Sequence, residues 1–185
     1  MPGALYPPAF ELQCALEGGY SSQDNGRGPV NCGLTQKTWD GIRARSPQWQ
    51  VYPEQVGDLN RQHLFSIFRD TMWLDSGAFR IEDQKLAEAY YLNYINVAWK
   101  RTPANPNRFG NLATIALQSA AGAKADGLLG PQSAVAVNHM DPAVLLHRMN
   151  VVILEHYERL AGQNPALYGD DLKGWKARLK HLEER

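Results

Sequence analysis

Residues 14–35 read CALEGGYSSQDNGRGPVNCGLT, and the order of residue types in this stretch carries the reading of the N-terminal region. An apolar helical pattern runs up to Glu17, and Gly18 and Gly19 stop it. A loop rich in Gly, Ser, Asn and Asp follows, and Thr35 is a helix N-cap for the next helical pattern, which carries Trp39 and Ile42. Asp24-Asn25-Gly26 has the residue types of a tight turn, so residues 19–34 are expected to form a small β-hairpin. Phe10, Cys14 and Glu17 are spaced by four and three residues and share one helical face. Glu17 is therefore expected to point toward the interior or the rim of a cleft. Apolar surroundings and the negative end of the helix dipole both disfavour its charged form. A carboxyl group kept protonated near neutral pH is what a glycosidase needs to protonate a leaving oxygen. The same spacing also suits a Glu17 that accepts backbone N–H groups of the loop and ties the hairpin down.

Working outward, Pro7 and Pro8 can occupy the first turn of the helix that ends near Leu16. Beyond residue 35 the apolar period is helical almost throughout. Leu64, Phe65, Phe68 and Met72 mark a stripe over 58–73, and Leu86, Tyr90, Tyr94 and Val97 mark another over 81–99. TPANPNRFG breaks the chain near 102–110. A helix with Leu112, Ile115, Ala116 and Ser119 then ends at Gly122, and KADGLLGPQS turns into a short helix through Val137. Asp141 and Pro142 open a long helix by the N-cap and first-position rules. A last amphipathic helix carries Leu172, Trp175, Leu179 and Leu182. The fold class expected is all-α or α-dominated, with the single small hairpin.

The chain has 185 residues, enough for one globular domain with a real core. Lys and Arg number 19, as do Asp and Glu, so the net charge is zero and offers no electrostatic argument for nucleic acid or an anionic membrane. No apolar run approaches the roughly 20 residues needed to span a bilayer. MPGALYPPAFELQ lacks the basic and apolar regions of a secretory signal. The expectation is synthesis in the cytoplasm without a signal peptide, as a monomer that does not insert into lipid. The two cysteines, Cys14 and Cys32, admit either a bridge or a pair of buried thiols. His147 and His156 are nine residues apart, on opposite faces of one helix, and no His-Glu-x-x-His or Cys cluster occurs, so neither a metal nor an organic cofactor is expected. Tyr20 and Trp39 flank the Glu17 region and could stack on sugar rings.

The stretch LEGGYSSQDNGRGPVNCGLT resembles the N-terminal motif of glycoside hydrolase family 108, phage-type N-acetylmuramidases, through Glu17, Gly18, Gly19, Tyr20, Gly28, Pro29, Asn31, Gly33, Leu34 and Thr35. YINVA, with Asn96, sits where that family has a Val-Asn stretch. ALQSAAGAKADGLLGPQS is similar to the family's C-terminal peptidoglycan-domain signature, with Leu117, Gln118, Gly122, Asp126, Gly127, Gly130 and Pro131 in place. The resemblance implies a single lysozyme-like domain over 1–185, with a catalytic lobe at 1–101 and a helical, peptidoglycan-binding-like subdomain at 108–185. It implies hydrolysis of the β-1,4 bond between N-acetylmuramic acid and N-acetylglucosamine, with Glu17 as general acid; the family's loop Asp aligns with Asn25, so Asp24 would serve as second carboxylate by a small shift. Tyr20, Asn31, Thr35 and Asn96 would position the glycan, although Asn96 could equally cap a backbone carbonyl. The chain departs from the family pattern in a loop about one residue shorter, in Arg27 at the first Gly of a turn, in Val30 at a Thr, in Cys32 at an aromatic and in Leu92 at an Asp. A lytic transglycosylase with one essential Glu, or a non-catalytic peptidoglycan-binding module, are the alternatives. Action in the periplasm or cell wall would then follow delivery by a holin, a phage tail or a secretion apparatus.

Overall fold

The computed structural model describes residues 3–23, 28–97, 99–102 and 105–185, with the backbone alone for 99–102 and 105–109. Its contacts divide the chain into two compact units, Tyr6–Asp75 and Met1–Leu5 with Ser76–Arg185. Both are dominated by helices, in agreement with the sequence.

In the unit Tyr6–Asp75, helix α1 (Tyr6–Glu17) carries Pro7 and Pro8 in its first turn, where no backbone N–H is needed. It stops where Gly18 takes the left-handed conformation, φ 76°. Three two-residue strands follow, β1 (Tyr20–Ser21), β2 (Val30–Asn31) and β3 (Leu34–Thr35), paired antiparallel in chain order. The expected hairpin is thus extended by a third strand. Asn31 pairs with both Tyr20 and Leu34, so only Cys32 and Gly33 connect β2 to β3. Both have positive φ, 47° and 84°, as a two-residue type I′ turn demands. The turn expected at Asp24-Asn25-Gly26 lies outside the described residues. Thr35 caps α2 (Gln36–Arg45) as anticipated, its Oγ1 accepting from the Thr38 N–H at 3.2 Å.

Two 3₁₀ turns, Pro47–Trp49 and Val56–Asp58, lead to α3 (Arg61–Phe68), whose Asn60 and His63 form a reciprocal capping box. A π-helical turn (Arg69–Trp73) then leads into α4 (Leu74–Ser76). The wider π turn rotates the apolar face by part of a turn, so Trp73, and not the expected Met72, is the residue buried there. The core is aromatic. Tyr6 lies 4.7 Å from Phe65 and 5.5 Å from Trp73, and Phe10 meets Phe65 edge-on at 5.2 Å. Trp39 is fully buried, with its Nε1 donating to the Pro53 carbonyl at 2.9 Å.

In the second unit, α5 (Gln84–Asn96) starts at the Asp83 cap, which accepts from the Leu86 N–H at 2.7 Å. Strands β4 (Trp99–Thr102) and β5 (Asn105–Asn111) pair antiparallel where the sequence suggested only a break. Helices α6 (Leu112–Ala120), α7 (Pro131–Asn138), α8 (Pro142–Gln163), α9 (Pro165–Tyr168) and α10 (Asp171–Glu184) complete the chain. The long α8 packs on α5, α6 and α10. Tyr90, Leu117, Leu145 and Met149 are fully buried there. Trp175 of α10 stacks on Tyr157 of α8 at 4.5 Å.

Gln118 is the hub of the α6–α7 connection. Its amide is completely buried. The nitrogen lies 2.9 Å from each of Asp126 Oδ1, the Leu128 carbonyl and Ser133 Oγ, and the oxygen accepts from the Gly127 N–H at 2.9 Å. Gly127, with φ 75°, supplies the backbone reversal that brings these groups together. One buried side chain therefore has all its hydrogen-bonding groups matched by the loop and the start of α7. Gln118→Ala is expected to lower stability by about 2–4 kcal/mol, measured by urea denaturation, with unfolding still cooperative.

Candidate active site

Glu17 ends α1, one turn after Gln13 and Cys14 on the same face. Phe10, Gln13 and Cys14 are buried and Glu17 is half-buried, so the side chain emerges from the core at the helix end. The β2–β3 turn supports it. A Cβ built on Gly33 would stand 3.1 Å from Glu17 Cγ and 3.5 Å from its Cδ. The Glu17 stem thus lies directly on the Gly33 backbone, at a position that already requires glycine for its positive φ.

The residue before Gly33 fastens the same turn. Gln13 Nε2 donates to the Cys32 carbonyl at 3.1 Å, inside the protein. Cys14 and Cys32 are both free and buried, and their thiols are hydrogen-bonded to each other. That hydrogen bond lowers the Cys32 thiol to about 7 even though burial pushes the other way, and the nearby Arg61 charge adds to the lowering. The same hydrogen bond, with burial, holds Cys14 protonated well above the usual thiol range. Gln13, Cys14 and Glu17 therefore grip the Cys32-Gly33 turn at three successive points.

Tyr20 follows Glu17 by three residues and is 55 % exposed. Its ring lies against Gly57, where a Cβ would come 2.8 Å from Tyr20 Cε2. The hydroxyl end of the ring is thus set against main chain. Asn31 is 7 % exposed, and its Nδ2 donates to the Val56 and Leu59 carbonyls at 3.0 and 3.1 Å. Thr35 Oγ1 is engaged by Thr38, through its N–H and at 2.9 Å from its hydroxyl. The structure therefore gives Asn31 and Thr35 packing and capping duties beside Glu17. Trp39, expected to flank the site, is fully buried and offers no ring face to a ligand.

Asn96 belongs to the other unit, at the end of α5, and its Nδ2 donates to the Leu92 carbonyl at 2.9 Å. Asp24 lies outside the described residues. His147 is exposed and His156 buried, as their opposite faces on α8 demand. The supporting roles of Gln13, Gly33 and Gly57 escape a reading of the residues as catalytic types. Gln13 alone leaves a trace in the sequence, standing four residues before Glu17 on the same face.

Residues 10–97 match the family model described as Glycosyl hydrolase 108, and residues 112–180 match that described as Predicted Peptidoglycan domain. The site just described falls within the first match, and the Gln118 hub within the second. The two matches, in this order, bear out the resemblance to glycoside hydrolase family 108. The chain is also similar to the solved structure of Brucella abortus SagA, at 21 % identity over 97 % of this chain and 92 % of that one, with a TM-score of 0.72. That likeness shows the fold, which is the α-dominated, lysozyme-like one expected. No curated protein matches the chain. The two family matches support a glycoside hydrolase acting on peptidoglycan.

Gly33→Ala places a methyl group against the Glu17 stem and forces an L-residue into the left-handed region. The variant is expected to lose about 1–2 kcal/mol of stability. At temperatures where it stays folded, it should release fewer soluble fragments from peptidoglycan than wild type, read by the loss of turbidity of a sacculus suspension.

Proposed function

We propose that this chain is an N-acetylmuramidase, cleaving the β-1,4 bond between N-acetylmuramic acid and N-acetylglucosamine in peptidoglycan, with Glu17 as general acid. The observation that carries the reading is the seat of Glu17 on Gly33. A carboxyl group at the end of a rigid helix, with its stem held against backbone, can keep one position while it delivers a proton to the glycosidic oxygen. As the bond breaks, positive charge develops at the sugar's anomeric carbon. Asp24 is the second carboxylate in this reading, stabilising that charge or orienting the attacking water. Tyr20, backed by Gly57, offers its exposed face to a sugar ring. Asn31 and Thr35 act as positioning residues through the sheet and the α2 cap, and Asn96 is a glycan contact in this reading.

The substitution of Val30 for the family's Thr favours a second reading, because valine has no hydroxyl with which to orient a water. A lytic transglycosylase needs one acid and no attacking water, since the muramic acid's own hydroxyl closes the ring. The products tell the two apart. Digestion of purified peptidoglycan followed by mass spectrometry is expected to give muropeptides with reducing muramic-acid ends. Glu17→Gln is expected to lower their release by about 10²–10⁴-fold. Anhydro-muramic ends lost with the same variant would assign the transglycosylase reaction to Glu17. Full activity in Glu17→Gln would remove Glu17 from the chemistry. Gly57→Ala, which pushes Tyr20 from its seat, is expected to raise KM several-fold with kcat nearly unchanged. The check is the initial rate against peptidoglycan concentration.

A further inference from the structure

The chain has only two cysteines, and the fold brings their segments together, with Gln13 donating to the Cys32 carbonyl at 3.1 Å and Glu17 seated against Gly33. They come from different elements, eighteen positions apart, one from the core face of α1 and the other from the β2–β3 turn. Cys32 is also the single described non-glycine residue with positive φ. Type I′ turns take Asn, Asp or Gly at this first central position, because other L-residues are strained there. This turn is the one that Gln13 and Glu17, on either side of Cys14 in α1, also grip.

We propose that Cys14 and Cys32 are a cross-linking site, forming an intramolecular disulfide that bolts the Cys32-Gly33 turn to α1 beside Glu17. Both thiols are free and buried where the turn meets α1, and a disulfide between them requires Cα atoms about 4.4–6.8 Å apart. The oxidant is a disulfide-bearing thiol oxidant. The Cys32 thiolate attacks one sulfur of that disulfide, forming a mixed disulfide and releasing the first thiolate. Cys14 then gives up its proton, and its sulfur attacks Cys32 Sγ and expels the second thiolate. Two protein thiols are oxidised by two electrons, and one disulfide is reduced to two thiols. Cys32, hydrogen-bonded by Cys14 and close to Arg61, is the better attacking group. Delivery to the periplasm or cell wall, as the proposed function requires, would take the protein to an oxidising compartment in which disulfides form and persist. The consequence for catalysis rests on Glu17 being the acid, whereas the cross-link itself does not.

The test incubates the reduced full-length protein with oxidised glutathione and reads intact mass, thiol labelling and thermal melting. The expected product is monomeric, lighter by two hydrogens, unlabelled by maleimide, and melts about 5–10 °C higher than the reduced form. Dithiothreitol should abolish the shift. Cys14→Ser should stop at one glutathione adduct on Cys32, which separates failure to cross-link from failure to react. Persistent free thiols at both positions, cross-linking only between molecules, or a lower melting temperature after oxidation would overturn the proposal. Peptidoglycan release assayed on both redox forms isolates the catalytic reading. A cross-linked protein inactive in either form upholds the disulfide and counts against the hydrolase reading alone.

Discussion

The docking of a two-residue turn onto the last turns of a helix is the constraint on which the Glu17 site depends. Helix α1 projects Gln13, Cys14 and Glu17 toward one side, and the Cys32-Gly33 turn meets all three. Each contact makes a different demand. Gln13 needs a carbonyl acceptor, Cys14 a small polarisable neighbour, and Glu17 a position without a Cβ. A type I′ turn with glycine second meets these demands together, and its twist suits the antiparallel strands on either side. Moving the turn by one residue would put a side chain where Gly33 now lies and would turn the Cys32 carbonyl away from Gln13. Glu17 is therefore held by sheet register as much as by its own helix.

The second unit applies the same logic at another place. A buried amide, Gln118, gathers the ends of a loop whose sharpest bend is a left-handed glycine. Fully satisfied polar hubs of this kind rigidify the connection they serve, because every departure strands a buried donor or acceptor. The glycine-rich motif that marks the peptidoglycan domain thus has a structural explanation. Gln118 and Asp126 are spent on the loop, and Gly127 on its geometry.

Much of the architecture was legible in the sequence because its signals are local. Thr35 and Asp141 cap the helices they precede, and Gly18 and Gly127 take the positive φ their places require. What was not legible depends on pairing at a distance. Strands β4 and β5 run through a stretch rich in Pro and Asn, with no alternating apolar pattern to mark them. Strand β3 is two residues long, and Cys32 in a position suited to Asn hid the turn that creates it. The π turn displaced the α3 face by a fraction of a turn, which periodicity of 3.6 cannot register. At the site, Glu17 was visible as a chemical type, whereas its seat on Gly33 and the backing of Tyr20 by Gly57 are contacts between main chain and side chain. Residue types alone do not encode such contacts.

The most direct test of this account uses a residue that is buried away from the reacting atoms. Gln13 is completely buried and grips the turn through one hydrogen bond to the Cys32 carbonyl. The measurement is kcat and KM for peptidoglycan hydrolysis by folded Gln13→Met, which keeps the side-chain volume and removes the donor. If docking of the turn holds Glu17 in place, kcat should fall by about tenfold or more with KM little changed, in line with losing one buried hydrogen bond that positions the acid. An unchanged kcat in a variant shown to be folded would contradict the account, because Glu17 would then keep its place without the turn.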